Sequence, residues 1–166
     1  ICGQPDHPDF LSYHTSLGGP LSPVDKEDLL KKTEEEIVEV LNMDMPVEAY
    51  GEVAQEGFAL VLQEAVKEDP AKFSELSDIF DPTKIPPMYL YHFLRGLRDG
   101  FKSGADFRCE PVFKQIKKLI RLNDENFIQQ KDNSGIRILS SKNIKNGILQ
   151  LLSSLVGTKQ HTIDER

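Results

Sequence analysis

The stretch PMYLYHFLRGLRDGFKS, residues 87–103, decides the fold of this 166-residue chain. Five apolar side chains recur in it with helical spacing: Leu90, Phe93, Leu94, Leu97 and Phe101. They share one face of an α-helix, and the opposite face carries the charged side chains. Gly104 follows as a stop signal. The pattern predicts a strong amphipathic helix from about Pro87 to Ser103.

The same period recurs along most of the chain. It predicts helices over residues 25–31, 33–41, 51–68, 110–122 and 141–156, and one that restarts at Asp69-Pro70. Thr33 and Glu36 have the spacing of a capping box, and Asp69 followed by Pro70 is a typical helix start. Gly157 is predicted to end the last helix. No segment alternates with period two over any length, and IRIL at 136–139 is at most an isolated extended piece.

These elements predict an all-α fold. Helix, short loop and helix recur about three times at a spacing of roughly 40 residues, which is the length of HEAT or armadillo units. We expect antiparallel helix pairs stacked as a short α-solenoid, or an irregular helical bundle. The helical-repeat domain spans residues 25–157. Residues 1–24, with four Pro and three Gly, are predicted to form an ordered arm, and 158–166 a tail or the start of a truncated helix.

One helix pair is predicted in detail. The loop between the helices at 87–103 and 110–122 is short, which favours an antiparallel pair. Its core is predicted to contain Phe93, Leu97, Phe101, Phe113 and Ile116.

The two ends of the sequence and its cysteines bear on the origin and the cellular location of the chain. The chain opens on Ile1, and Thr162 with Glu165 repeats the capping-box spacing, so we expect a piece excised from a larger protein. It has neither an apolar run long enough to span a bilayer nor a secretory signal at its start. Cys2 and Cys109 do not form a disulfide framework. We therefore expect a soluble, cytoplasmic protein with reduced thiols.

Charge is distributed unevenly along the chain. Residues 1–80 hold 5 Lys/Arg against 18 Asp/Glu, whereas residues 81–166 hold 15 against 9. This difference marks either an acidic and a basic face or helices that neutralise their neighbours, and the second interpretation is favoured.

Motifs that carry chemistry are absent from the sequence. It has no phosphate-binding glycine motif, and no histidine or cysteine pair has zinc-site spacing, so we expect no cofactor and no metal. His7 and His14 lie near two aspartates, which is weak support for a metal site. His92 is expected to be a partly buried structural residue. Gly96, Gly100 and Gly104 recur every fourth residue, which indicates close packing of a neighbouring helix. No catalytic residue is assigned, and we do not expect an enzyme.

A basic cluster is the most distinctive feature. Residues 95–121 hold eight cations: Arg95, Arg98, Lys102, Arg108, Lys114, Lys117, Lys118 and Arg121. The last four share one helix face. The first interpretation is an anion or nucleic-acid surface, and the second is either a solvated face or a face that neutralises the acidic helices of residues 34–68. The second reading is favoured, because aromatic side chains that would stack on bases are not interleaved with them.

Several stretches resemble the helical-repeat, HEAT- or armadillo-like regions of large, mostly uncharacterised bacterial proteins. They are GQPDHPDF at 3–10, GPLSPVDKEDL at 19–29, EDPAKF at 68–73 and HFLRGLRDGFKSGADFRCEPVFK at 92–114. The resemblance implies an α-solenoid segment of a long chain, in some cases beside ATPase or defence modules. It assigns no catalytic residue.

Two functions remain open from the sequence. The first is a non-catalytic scaffold or protein-interaction module that binds other domains of the same parent chain or a protein partner. The alternative is a nucleic-acid-binding helical module that uses the basic face around residues 95–121. A membrane partner is not expected.

Overall fold

The computed structural model describes residues 19–47, 52–128 and 139–161, with side chains as far as residue 157. These ranges contain seven α-helices and no β-strand, so the described part of the chain is all-α as predicted. The helices are α1 Lys26–Lys31, α2 Glu34–Leu41, α3 Gln55–Glu68, α4 Pro70–Glu75, α5 Pro87–Lys102, α6 Cys109–Leu119 and α7 Ser141–His161. Two 3-10 turns, Ser77–Ile79 and Asp124–Asn126, follow α4 and α6.

Local signals start α2 and α4 where the sequence predicts, whereas the helix predicted from residue 51 begins only at Gln55. The hydroxyl of Thr33 accepts a hydrogen bond from the Glu36 amide, and the Glu36 carboxylate accepts one from the Thr33 amide at 2.7 Å. Asp69 accepts from the Lys72 amide, and Pro70 takes the first helical position. Each of these bonds satisfies an end N–H that has no partner within its helix. Both predicted caps are confirmed.

Helices α3 and α5 lie side by side and run in the same direction. Near the start of each helix, the Phe58 and Tyr89 rings meet edge to face at 5.1 Å. Near their ends, a Cβ added to Gly100 would lie 2.8 Å from the Lys67 carbonyl oxygen. The residue numbers of the contacts rise together along both helices. The close approach predicted for the glycine face is therefore found at Gly96 and Gly100, which both face α3.

Helix α7 packs on another side of α5, also in the same direction. Gly147 faces Leu94, and one turn further along Arg98 donates a hydrogen bond to Gln150. The three longest helices of the described chain thus form one row, α3–α5–α7. A buried core runs through this row, and its largest fully buried side chains include Phe58, Phe73, Phe80, Tyr89 and Phe93.

Helix α6 does not pair with α5, so the predicted antiparallel pair is wrong. It packs instead against α4 and the turn Ser77–Ile79, and the Gln115 side chain donates to the Phe80 carbonyl at 3.0 Å. A short loop brings two helices near each other in sequence but does not dictate their contact. The faces of α5 are already covered by α3 and α7.

The rotation of α6 about its axis also differs from the prediction. Phe93, Leu97 and Ile116 are buried as predicted, but Phe101 is only half-buried. Phe113, predicted to be in the core, is 38% exposed, whereas the polar Gln115 is buried. Only the Nε2 of Gln115 is satisfied there, by the Phe80 carbonyl, because its buried Oε1 has no hydrogen-bond partner among the described residues.

Glycine ends one helix but not the other. Gly104 adopts φ 89°, a left-handed conformation that closes α5 as predicted. Gly157 was predicted to end α7, and this is wrong, because α7 continues to His161. Among the described glycines only Gly104 has positive φ, and a glycine without that conformation weakens a helix without ending it.

The arm predicted for residues 1–24 is described only from Gly19 onward. There, Leu21 forms a single parallel bridge with Val53, and its main-chain carbonyl accepts from the Ala54 amide at 3.0 Å. A Cβ added to Gly57 would lie 2.2 Å from that carbonyl oxygen. The missing side chain of Gly57 therefore makes room for the main chain at Leu21, and not for another helix. Three features of the sequence lie outside the described residues. They are the apolar residues of the arm before Gly19, residues 136–138 of the IRIL stretch, and the Thr162–Glu165 capping-box spacing.

No described helix has the length and apolar character required to cross a lipid bilayer.

Candidate interaction surface

The structure places cations of the basic cluster beside carboxylates of the preceding segment. Lys114 Nζ lies 3.3 Å from Asp78 Oδ2, and Lys118 Nζ lies 3.2 Å from Asp81 Oδ2. The Arg108 guanidinium lies 2.8 Å from the carboxylate of Glu75. All three carboxylates lie in residues 75–81 and not in the acidic helices of residues 34–68. Neighbouring elements therefore complement each other here, although not with the helices that the sequence suggested.

Asp81 is the buried member of these pairs. Burial by itself would raise the pKa of its carboxyl. The amide and hydroxyl of Thr83 donate to Oδ1 at 3.0 and 2.7 Å, and Lys118 lies beside Oδ2. These donors outweigh the burial and lower the pKa of Asp81. Lys118 thus neutralises a structural carboxylate.

The other cations of the cluster are dispersed. The Arg95 guanidinium lies over the Tyr91 ring at 5.7 Å from its centre. Lys102, Lys117 and Arg121 are exposed, and within the described ranges none of them forms an ion pair. Of the four cations that the sequence places on one helix face, Lys114 and Lys118 form ion pairs, whereas Lys117 and Arg121 form none among the described residues.

A polar network connects the three helices of the row. His92 Nδ1 donates to Gln63 Oε1 at 2.9 Å, and Gln63 Nε2 reaches Asp99 Oδ2 at 3.5 Å. Arg98 contacts Asp99 Oδ1 through Nε at 2.9 Å and donates through Nη1 to Gln150. The sequence predicted His92 as structural, which fits this position. The other members could not be recognised, because their contacts join residues far apart in the chain.

Burial and the neighbouring Arg95 lower the pKa of His92 to about 4. An unfolded histidine titrates near pH 6.5, so between pH 6.5 and 4 the unfolded chain binds more protons. We therefore expect stability to fall as pH drops through this window, with no further contribution from His92 below about 4. Urea unfolding at pH 7, 5.5 and 4.5 should show a smaller loss for His92→Gln than for the parent chain. An equal loss in both would show that His92 does not titrate in this way.

The described ranges contain one of the two cysteines, Cys109. Cys109 is half-buried, with its Sγ 3.9 Å from the Phe107 carbonyl oxygen. Its neighbour Arg108 is held by Glu75. No group of three or more His, Cys, Asp or Glu side chains is gathered within the described ranges. Cys2, His7 and His14 lie outside them.

An open cleft that the sequence did not suggest lies between the end of α2 and the start of α5. Its volume is about 530 Å³, and its walls include Met43, Met45, Pro46, Lys84 and Ile128. Methionines and prolines in a shallow cleft carry no pattern that would reveal it in the sequence.

No protein-family model matches this chain, and no curated protein or solved structure is significantly similar to it.

Proposed function

We propose that this chain is a segment of a helical-repeat scaffold without catalytic activity of its own. It would hold other domains of its parent chain or a protein partner in position. The observation that carries this proposal is the row α3–α5–α7, in which every second helix runs in the same direction. Stacked helix pairs of a solenoid produce such a row, because each pair returns the chain to the same end of the stack.

The helices α4 and α6, which lie outside the row, support the same interpretation. Helix α4, with its 3-10 turn, lies next to α6, and these elements alternate in the chain with the helices of the row. Each helix then contacts mainly its neighbours in the stack. The HEAT- and armadillo-like resemblance of the sequence agrees with this arrangement. The proposal places the chain in the cytoplasm, where the Cys109 thiol would stay reduced.

Stacked repeats make a specific prediction about local stability, because each unit is coupled only to its neighbours. Leu151 on α7 is fully buried. In native-state hydrogen exchange, Leu151→Ala should lower the protection of α7 and of adjacent α5, while α1 to α3 keep their values. Leu149→Ala, on the exposed side of the same helix, is the matched control and should change little.

The result that contradicts the scaffold of stacked repeats is equally specific. If Leu151→Ala lowers the exchange free energy of all helices by one common amount, the chain is a single cooperative bundle.

A nucleic-acid-binding module is the second candidate. Exposed Lys117 and Arg121 favour it, since neither has a carboxylate partner in the described part of the chain and both are available to phosphates there. The ion pairs of Arg108, Lys114 and Lys118 argue for the scaffold, because each of these cations would have to leave a carboxylate to bind a phosphate. We therefore favour the scaffold.

A further inference from the structure

The cleft between the end of α2 and the start of α5 has the volume of a ligand site. Its volume of about 530 Å³ lies within the range of roughly 300–1,000 Å³ that is usual for binding pockets. The walls come from four separate parts of the chain: residues 41–47, Gln55 at the start of α3, Lys84 with Pro86 before α5, and Ile128. Tertiary packing therefore brings these side chains around one space.

Hydrogen bonds fix the walls of this cleft. Gln55 connects α3 to the segment after α2, because its side-chain Nε2 donates to the Met45 carbonyl at 2.8 Å and its amide donates to the Pro46 carbonyl at 2.9 Å. The Ile128 amide donates to the Pro82 carbonyl at 2.8 Å, which ties Ile128 to the segment before α5. Because the walls are already held in place, binding does not have to order them, and its entropic cost is lower.

Apolar side chains make up most of the lining. Met43 is 48% exposed and Ile128 is 39% exposed, although both are large and apolar. Pro46 is also exposed, and Met45 is nearly buried. The unbranched, polarisable side chain of methionine adapts to apolar groups of different shapes. The lining therefore suits the side chain of a large apolar residue.

The charged groups of the lining are one cation and one anion. Lys84 and Asp44 both line the cleft, and both are exposed. In the described part of the chain neither side chain forms an ion pair. A ligand that satisfies both groups must carry an anionic and a cationic group of its own.

The segment after α2 also offers main-chain groups to a ligand. Residues 43–46 form neither helix nor strand. The Asp44 amide and carbonyl form no main-chain hydrogen bond with any residue that the structure describes. An extended peptide can pair with groups of this kind, as it does at the edge of a sheet. These main-chain groups, together with the apolar lining, favour a peptide ligand.

From this lining we propose that the cleft binds a short extended segment of a protein partner, in which large apolar residues stand between an acidic and a basic residue. The inference rests on the scaffold function and names the chemistry of its partner. The apolar side chains would contact Met43 and Ile128, the acidic one would face Lys84, and the basic one would face Asp44. A segment with two acidic or two basic flanks would place like charges together and bind more weakly.

The test uses three synthetic peptides with blocked ends: Glu-Leu-Leu-Lys, Glu-Leu-Leu-Glu and Lys-Leu-Leu-Lys. Binding to the full chain is followed by NMR of methyl-labelled methionine, because the chain has three methionines, Met43, Met45 and Met88. The mixed-charge peptide should shift the Met43 and Met45 signals with a Kd below about 1 mM, at least about threefold tighter than either of the others. Met88 does not line the cleft, so its signal should change little.

Charge reversal of the walls should switch the preferred peptide. Lys84→Glu should bind the peptide with two Lys best, and Asp44→Lys should bind the peptide with two Glu best. Met43→Ser should weaken the mixed-charge peptide by about fivefold or more, because it removes apolar contact area. Leu60→Ser is the matched control, since Leu60 is 49% exposed on α3 and does not line the cleft, and it should leave binding unchanged.

Several results would overturn the proposal. Equal binding of the three peptides removes the charge complementarity, and no shift of Met43 or Met45 up to about 5 mM removes the site itself. A large drop in melting temperature for Met43→Ser, without peptide binding, means that another part of the same chain covers the cleft. Concentration-dependent dimers that Met43→Ser abolishes mean that a second copy covers it. The hydrogen-exchange result for α7 is independent of all of these, so failure here leaves the scaffold standing.

Discussion

Replacing Phe93 by Ala should lower the free energy of unfolding by roughly 3–5 kcal/mol, the largest effect that we expect from a single truncation in this chain. Phe93 is 1% exposed and stacks on Phe80 with 4.2 Å between ring centres and 13° between planes. Truncation removes that stacking and leaves a cavity between α5 and the segment after α4, which the surrounding close-packed side chains fill only in part. Chemical denaturation measures the loss directly.

Phe113→Ala is the matched control, because it deletes the same group from a site that is 38% exposed. It should cost about 1 kcal/mol. A loss below about 1 kcal/mol for Phe93→Ala, or equal losses for both variants, would show that Phe93 does not lie in the core.

Gly96→Ala should also destabilise the chain, by a net amount of roughly 1–3 kcal/mol, even though alanine is the better helix former. The new Cβ would lie 2.7 Å from the Gln63 carbonyl oxygen and 2.7 Å from Val66 Cβ. One of these contacts is with rigid main chain of α3, so α3 and α5 would have to separate. Separating the two helices would weaken the packing of their shared core. The free-energy cost of this lost packing should exceed the gain of about 1 kcal/mol from the higher helix propensity of alanine.

Gly147→Ala should have the opposite sign. Gly147 also lies inside a helix, but an added Cβ would come no closer than 3.6 Å, to Leu94 Cδ1. With ordinary contacts there, the helix-propensity gain should stabilise the chain by roughly 0.5–1 kcal/mol. Thermal and urea denaturation of the two variants side by side would test the pair. Stabilisation by Gly96→Ala would show that α3 and α5 do not approach as described.

Part of the candidate site was visible in the sequence. The helical spacing of Lys114, Lys117, Lys118 and Arg121 placed them on one face of a helix, and the net charge of the two halves suggested that helices complement each other. The sequence could not assign Asp78 and Asp81 as their partners, because these residues are 36 and 37 positions away from Lys114 and Lys118. Such pairs depend on how α6 lies against the chain that precedes it.

The sequence by itself determined which residues form helices and where several of those helices begin and end. Signals such as the Thr33–Glu36 capping box, Asp69-Pro70 and Gly104 act within one turn, so local hydrogen bonds and φ preferences suffice to predict them. Tertiary structure alone decided which helices touch and which face each one turns inward. It placed α3 rather than α6 against Gly96, turned Gln115 inward and left Phe113 outside. These choices depend on close packing between distant parts of the chain. There, a single missing Cβ or one buried hydrogen bond from a side-chain amide selects among arrangements that share the same helical pattern.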